Sequence, residues 1–247
     1  MEQSQPVALV TGAARGIGHE VARQLAARGW LVLLSARRAE AAQEAARSLE
    51  EAARSAGGSV RPLTLDTTSP EGVARAMAAV EADPGRLDVL VNNAAAFVDW
   101  SETASTADLD AARAVMDTNL YGTWRVTQAA LPLLRASAHP RVVVVGSGAG
   151  SHTDPAFGLT ARGGAAASYG ISKAAVGALV ATLATELTGT GILVNAVCPG
   201  LTATYPGAEA MGARPVADGA AGVVWAATLP DDGPTGGFFR DAQPLGW

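Results

Sequence analysis

Tyr169 and Lys173 stand four positions apart in Ser168-Tyr169-Gly170-Ile171-Ser172-Lys173. On a helix that spacing puts both side chains on one face. A free phenol titrates near ~10 and exchanges protons poorly at neutral pH. A nearby ammonium favours the phenolate and lowers that value. The pair is therefore suited to general acid–base work on a substrate oxygen. A solvated surface pair would show the same spacing, but composition argues against it. Of the 18 basic residues 17 are arginine, and the one lysine is Lys173. Arginine substitutes poorly there, because its pKa is too high and its head too wide.

A second constellation lies near the start of the chain. An apolar run over 7–11 leads into Thr11-Gly12-Ala13-Ala14-Arg15-Gly16-Ile17-Gly18 and then into a helical pattern. Gly12 permits a tight turn, Gly16 lets the backbone approach a pyrophosphate, and Gly18 allows close helix–strand contact. The helix N-terminus offers free N–H groups to the anion. The second strand ends at Leu34-Ser35-Ala36-Arg37-Arg38, with no acidic residue between Trp30 and Ala39. An NAD site places a carboxylate there for the ribose 2′-OH; arginines suit a 2′-phosphate. Arg37 and Arg38, with Arg15 from the loop, therefore point to NADP(H). Gly146, Gly148 and Gly150 also follow a strand, but no helix start follows them. They read as loop flexibility.

Further motifs carry a family resemblance. They are Asn92-Asn93-Ala94-Ala95, Asn119 in Asp117-Thr118-Asn119-Leu120, Ser147 after a valine run, Tyr169-x-x-x-Lys173, and Pro199-Gly200 followed by Thr204. Together with the three-residue spacing between Gly12 and Gly16 and the Ile17-Gly18 that follows, they resemble the short-chain dehydrogenase/reductase family over essentially the whole chain. The family usually has glycine where Ala95 stands. The resemblance implies a catalytic set of Asn119, Ser147, Tyr169 and Lys173. Tyr169 would be the general acid, and Ser147 would polarise the carbonyl oxygen. Lys173 would also bond the nicotinamide ribose, and Asn119 would support a proton-supplying water. Asp66 stands where the family contacts adenine, and Asn93, Ala94, Pro199, Gly200 and Thr204 where it holds the cofactor. No metal is implied, because the cofactor carries the hydride.

The elements that must position these groups alternate regularly. Buried strands are expected over 7–11, 30–35, 59–65, 87–92, 141–146 and 192–197, with a short apolar run at 237–239. Helices are expected over 16–28, 39–56, 70–82, 107–135, 168–188 and 218–228. That order predicts one α/β domain over 1–247, a doubly wound (Rossmann) parallel sheet of about seven strands with helices on both faces. The Gly/Ala/Pro-rich loops 147–167 and 202–217 follow strand carboxyl ends, where ligands bind in this architecture.

Ser147 and Tyr169 have 21 residues between them, so 151–167 contains an insertion relative to the family's commonest spacing. With the terminal Trp247, it resembles the carbonyl reductase branch, which can be monomeric; many relatives are tetramers built on the Tyr/Lys helix. A homo-oligomer and a monomer both stay open. Phe97, Trp100, Phe157 and Tyr205 are aromatics that could line a pocket for an apolar ketone, aldehyde or quinone. A Ser147–His152–Asp154 hydrolase is disfavoured, since Ser147 lies outside a Gly-x-Ser-x-Gly elbow. His152 and Asp154 read as parts of a mobile loop. The leading expectation is an NADPH-dependent carbonyl reductase. A reductase of 3-oxoacyl thioesters on a carrier protein, an alcohol dehydrogenase and a non-catalytic regulatory protein are the alternatives.

Composition excludes other classes. Hydrophobic residues make up 49% and charged residues 17%, with a net charge of −5. That suits a well-buried protein and offers no basic surface for nucleic acid. Cys198 is the one cysteine and cannot form an internal disulfide. The polar start Met1–Pro6 lacks a signal pattern, and no membrane span is expected. A cytoplasmic protein acting on a small-molecule carbonyl is the expectation.

Overall fold

The computed structural model describes residues 5–247. The first four residues of the N-terminal stretch discussed above lie outside the described residues. The strands are β1 (Val7–Val10), β2 (Leu31–Ala36), β3 (Ser59–Thr64), β4 (Val89–Asn92), β5 (Arg141–Val145), β6 (Leu193–Val197), β7 (Phe238–Arg240) and β8 (Gln243–Pro244). They form one sheet in the order β3-β2-β1-β4-β5-β6-β7-β8. All neighbours are parallel except β7 and β8. The sheet therefore has eight strands where about seven were expected. The extra one is two residues long and exists because Asp241 and Ala242 adopt left-handed φ values of 54° and 59°, turning the chain back.

Helices α1 (Gly16–Ala26), α2 (Ala39–Ser55), α3 (Pro70–Ala82), α4 (Leu109–Met116), α5 (Thr123–Arg135), α6 (Ala167–Glu186) and α7 (Val216–Ala227) fill the crossovers. Alternation along each central strand sends residues to two different cores. Val7 and Leu9 pack with Val73, Leu134, Val176 and Val180 from α3, α5 and α6. Ala8 and Val10 pack with Val21, Leu25, Leu49 and Val223 from α1, α2 and α7. Covering both faces is what parallel strands require. Among the described residues the two outer strands, β3 with Pro62 at its edge and β8, are the exposed ones.

Three local differences from expectation bear on the site. The helix expected over 107–135 is broken by a π turn, Asp117–Gly122, which carries Asn119. Such turns are rare and concentrate at functional positions. The last helix starts earlier, at Val216, directly after Pro215. Helix α6 proves long and apolar enough to cross a membrane by length and composition. Its apolar surface is spent inside the protein instead, with Val176, Leu179, Val180 and Leu183 all in the core.

Candidate active site

Strand order reverses between β1 and β4, so the loops leaving their carboxyl ends part and open a crevice. The glycine loop forms one wall. Gly12 has φ +62°, and a Cβ there would stand 2.8 Å from Ala94 Cα. A Cβ on Gly18 would stand 2.4 Å from Asn93 Nδ2. Asn93 explains why: its Nδ2 donates to the carbonyls of Thr11 (2.9 Å) and Gly12 (3.1 Å). Thr11 Oγ1 accepts from the backbone N–H groups of Asn93 (2.9 Å) and Ala94 (3.0 Å). Asn93 and Ala94 thus hold the two loops of the crevice together.

Helix α1 opens this wall with no side chain capping its first N–H groups and no acidic residue in its first turn. Its orphan donors and positive dipole end suit an anion. Ile17 is half-buried in that turn and packs against the α1/α2-side core. Arg15, Arg37 and Arg38 are exposed. Asp66 lies within reach of Arg37: burial works to raise its carboxyl, but hydrogen bonds from Thr68 and the charges of Arg37 and Arg125 win and hold it below the ordinary value. From the far side, Thr204 reaches the glycine loop; a Cβ on Gly16 would be 3.4 Å from Thr204 Cγ2. Pro199 and Gly200 turn the chain toward it, and the Pro199 carbonyl accepts from Thr202 Oγ1 (3.1 Å) and Arg214 Nε (2.8 Å). A glycine cradle and an uncapped helix end fit the pyrophosphate of a dinucleotide.

The second group of residues sits where β5 meets α6. Tyr169 and Lys173 are both 7% exposed. Lys173 Nζ donates to the Val145 carbonyl at 2.9 Å and lies 5.7 Å from the Tyr169 ring centroid. Burial brings Lys173 down to about 8. Burial also pushes Tyr169 up to about 12, although Ser147, donating to the phenol oxygen, works in the opposite direction. This reverses the expected lowering of Tyr169. The helical spacing is as read, but the ammonium is turned to a backbone carbonyl and desolvation dominates.

Asn119 uses three of its four side-chain hydrogen-bonding positions, accepting from the Ala96 N–H (2.7 Å) and donating to the Ala96 carbonyl (3.0 Å) and to Ser172 Oγ (2.9 Å). It pins the loop after β4 to α6. Gly148 and Gly150 do not supply flexibility: a Cβ on Gly150 would stand 2.5 Å from Ala174 N, so the turn packs directly on α6.

The segment read as mobile is bolted down. Asp154 is 3% exposed and its carboxylate pairs with Arg240. It also accepts from the N–H groups of Ala156 (2.9 Å) and Phe157 (3.0 Å). Arg240 Nη2 in turn donates to Cys198 Sγ (3.3 Å), which also accepts from Gly148 N (3.2 Å). The Trp247 and Gly246 carbonyls accept from His152 N (3.0 Å) and Ser151 Oγ (2.6 Å).

Of the four aromatics singled out, two reach Tyr169. Phe97 stacks on it at 5.1 Å and 21°, and Trp100 meets it edge-on at 5.7 Å. Phe157 instead lies under Arg162, and Tyr205 donates toward Met211 Sδ. Sequence reasoning missed Glu102, whose carboxylate accepts from Ser168 N (2.9 Å) and Ser168 Oγ (2.7 Å) and so caps α6 one residue before Tyr169. A lone Glu in a Ser/Thr-rich loop carries no local sign of this partner.

Comparison with known proteins agrees with this geometry. A family model described as short chain dehydrogenase matches residues 6–211. Short-chain dehydrogenase anuI of Penicillium roqueforti is 34% identical over 231 residues, 91% of this chain and 89% of the relative. A rhamnolipids biosynthesis 3-oxoacyl-[acyl-carrier-protein] reductase of Pseudomonas aeruginosa is 37% identical, covering 78% of this chain and 72% of the relative. Among solved structures, a short chain dehydrogenase of Shigella flexneri complexed with NADP superposes with a TM-score of 0.81. It is 28% identical, and 97% of each chain is covered.

Proposed function

This chain belongs to the short-chain dehydrogenase/reductase family, and we propose that within it the chain is an NADPH-dependent reductase of ketone or aldehyde carbonyls. Family membership makes it an oxidoreductase acting at CH–OH/C=O groups with a nicotinamide cofactor. The observation that carries the finer reading is the convergence of Ser147, Tyr169 and Lys173 at the carboxyl end of β5. Tyr169 stays a phenol at neutral pH, the form that donates a proton to a carbonyl oxygen. Ser147, which donates to the phenol oxygen in this structure, turns its one hydroxyl hydrogen to the carbonyl oxygen as negative charge develops there. Lys173, 5.7 Å from the Tyr169 ring centroid and held by the Val145 carbonyl, supplies positive charge near the phenol as that phenol gives up its proton. When bound, the nicotinamide supplies the hydride. Arg15, Arg37 and Arg38 support NADPH over NADH, because the end of β2 offers a 2′-phosphate two guanidinium groups and offers a 2′-OH no carboxylate.

The test is NADPH oxidation against ketones, aldehydes and acyl thioesters. Tyr169→Phe is expected to keep NADPH binding and lose about 10²–10⁴ in turnover; near-normal rates would remove Tyr169 from the role. Equal dissociation constants for NADPH and NADH in a fluorescence titration would defeat the arginine argument. Reduction should fall as pH rises through about 8, where Lys173 loses its charge. A second reading, reduction of a 3-oxoacyl thioester, is favoured by what the Pseudomonas aeruginosa relative is named for. Preferential turnover of the thioester in the panel would select it.

A further inference from the structure

The chain has five Trp, three Tyr and four Phe. Three of these twelve meet at one point, the ring of Tyr169. Phe97 and Trp100 are 60% and 44% exposed and lie 6.2 Å apart at 45°. Elsewhere the apolar walls are built almost entirely from Ala, Val and Leu. Two exposed aromatic rings beside a buried phenol are a costly surface unless something covers them.

They are also held still. Ala96, immediately before Phe97, is gripped on both backbone groups by Asn119. Glu102, two residues after Trp100, is fixed to Ser168 at the start of α6. Asp99 between them turns its carboxylate onto Ser101 N (2.8 Å) and Oγ (2.7 Å). The segment from Ala96 to Glu102 is therefore pinned at both ends to the elements that carry the catalytic groups. Its rings are presented with little freedom left to lose on binding.

We propose that Phe97 and Trp100 are substrate-binding residues, and that the substrate carries a planar aromatic or conjugated group attached to its carbonyl. This rests on the reading that Tyr169 protonates a carbonyl. Phe97 lies on Tyr169 at 21° and leaves 60% of its surface exposed, so a flat group whose carbonyl reaches the phenol oxygen meets Phe97 along its free edge. Trp100, tilted against both, supplies the edge contact. A saturated chain would be served equally by Leu or Val, the residues this protein uses for most of its other apolar walls.

The probes are acetophenone and cyclohexyl methyl ketone, alike in size and different in ring planarity. In Phe97→Leu the ratio of kcat/KM for acetophenone to that for the saturated ketone should fall about 3- to 10-fold, the worth of one aromatic pair. Phe97→Tyr should restore it. An unchanged ratio overturns the proposal. Saturation-transfer NMR on the enzyme–NADP⁺ complex reads binding without turnover. Acetophenone contact that is lost in Phe97→Leu supports the proposal even if neither ketone is reduced, and in that case carbonyl reduction is what fails. Equal contact for both ketones in wild type and variant overturns it whatever the rates. Trp100→Leu gives the same readings should Phe97→Leu fold poorly.

Discussion

Two loops rise from the carboxyl edge of the sheet, and the turn between β7 and β8 touches both. Arg240 reaches one loop and the next residue, Asp241, reaches the other. On one side Arg240 meets Asp154, whose side chain is 1% exposed. On the other, Asp241 meets Arg214 at 2.6 Å, with Asp241 56% exposed. The Asp154 loop is further tied by Ser151 and His152 to the chain end, and Gly148 is packed against the ion pair. The Arg214 loop is tied at its base by the Thr202–Arg214 bridge. Beyond that base it exposes Tyr205 and Met211 and bends at Gly207 and Gly212, both with positive φ. One turn therefore anchors a rigid wall beside Ser147 and, less firmly, a flap beside Thr204. The difference is one of burial, since each loop has one ion pair of opposite polarity to the other.

The largest effect should come from the wall. Asp154→Ala strands Arg240 and two backbone donors, and breaking a buried pair costs about 3–5 kcal/mol, reduced to about 2–4 here because Arg240 is partly exposed. Urea unfolding should show it as a lower midpoint with an unchanged slope. The sign with pH follows from Asp154 being held below its ordinary value: burial works to raise it, but Arg240 and the N–H groups of Phe157 and Ala156 prevail. Its contribution is present above about pH 4, the unfolded value, and is lost as pH falls through the lower folded one. A loss below about 1 kcal/mol would mean the wall is no more bolted than the flap.

This pair also marks where reading the sequence ended. The glycine loop and the Tyr169/Lys173 helix were legible because their chemistry is written in spacings of two to four residues. Asp154 and Arg240 are 86 positions apart, and Glu102 and Ser168 are 66 apart. Such partners leave no local pattern, so Asp154 looked like loop and Glu102 like nothing. The reversed direction at Tyr169 has a related cause: spacing gives the ammonium's distance along a helix, while desolvation depends on everything packed around it. Gly148 and Gly150 show a third limit. The letter is the same whether glycine serves freedom or close approach, and only Ala174, brought over by α6, decides. The π turn at Asn119 was hidden because its buried positions, Asn119 and Gly122, carry no apolar side chain that would mark a change of period.

A smaller effect is expected in the flap. Arg214→Ala removes the ion pair to Asp241 and the bond to the Pro199 carbonyl, about 1 kcal/mol together at this exposure. Its clearer signature is local. Amide exchange should speed up across 202–214 while 151–159 stays protected, because a segment held by few contacts opens without the rest. The Michaelis constant for NADPH should rise several-fold if Thr204 leaves Gly16. Equal acceleration in both loops would merge them into one unit and dissolve the comparison.

The smallest effect separates the two ion pairs by screening. Near 0.1 M salt the Debye length is about 10 Å, and it shrinks to about 3 Å at 1 M. The Arg214–Asp241 pair faces solvent, so its coupling energy in a double-mutant cycle, about 0.5 kcal/mol at low salt, should fall toward zero at 1 M. Asp154 lies under the chain, with Gly148 against its carboxylate and Cys198 sharing the same guanidinium, so ions cannot approach it from most directions. Its coupling to Arg240 should hold to within about 0.3 kcal/mol over the same range. Parallel decay of the two couplings would show that Asp154 is wetted in solution. In that event the wall beside Ser147 would open as the flap does, and the fixed placement of Ser147 against Tyr169 would need another source.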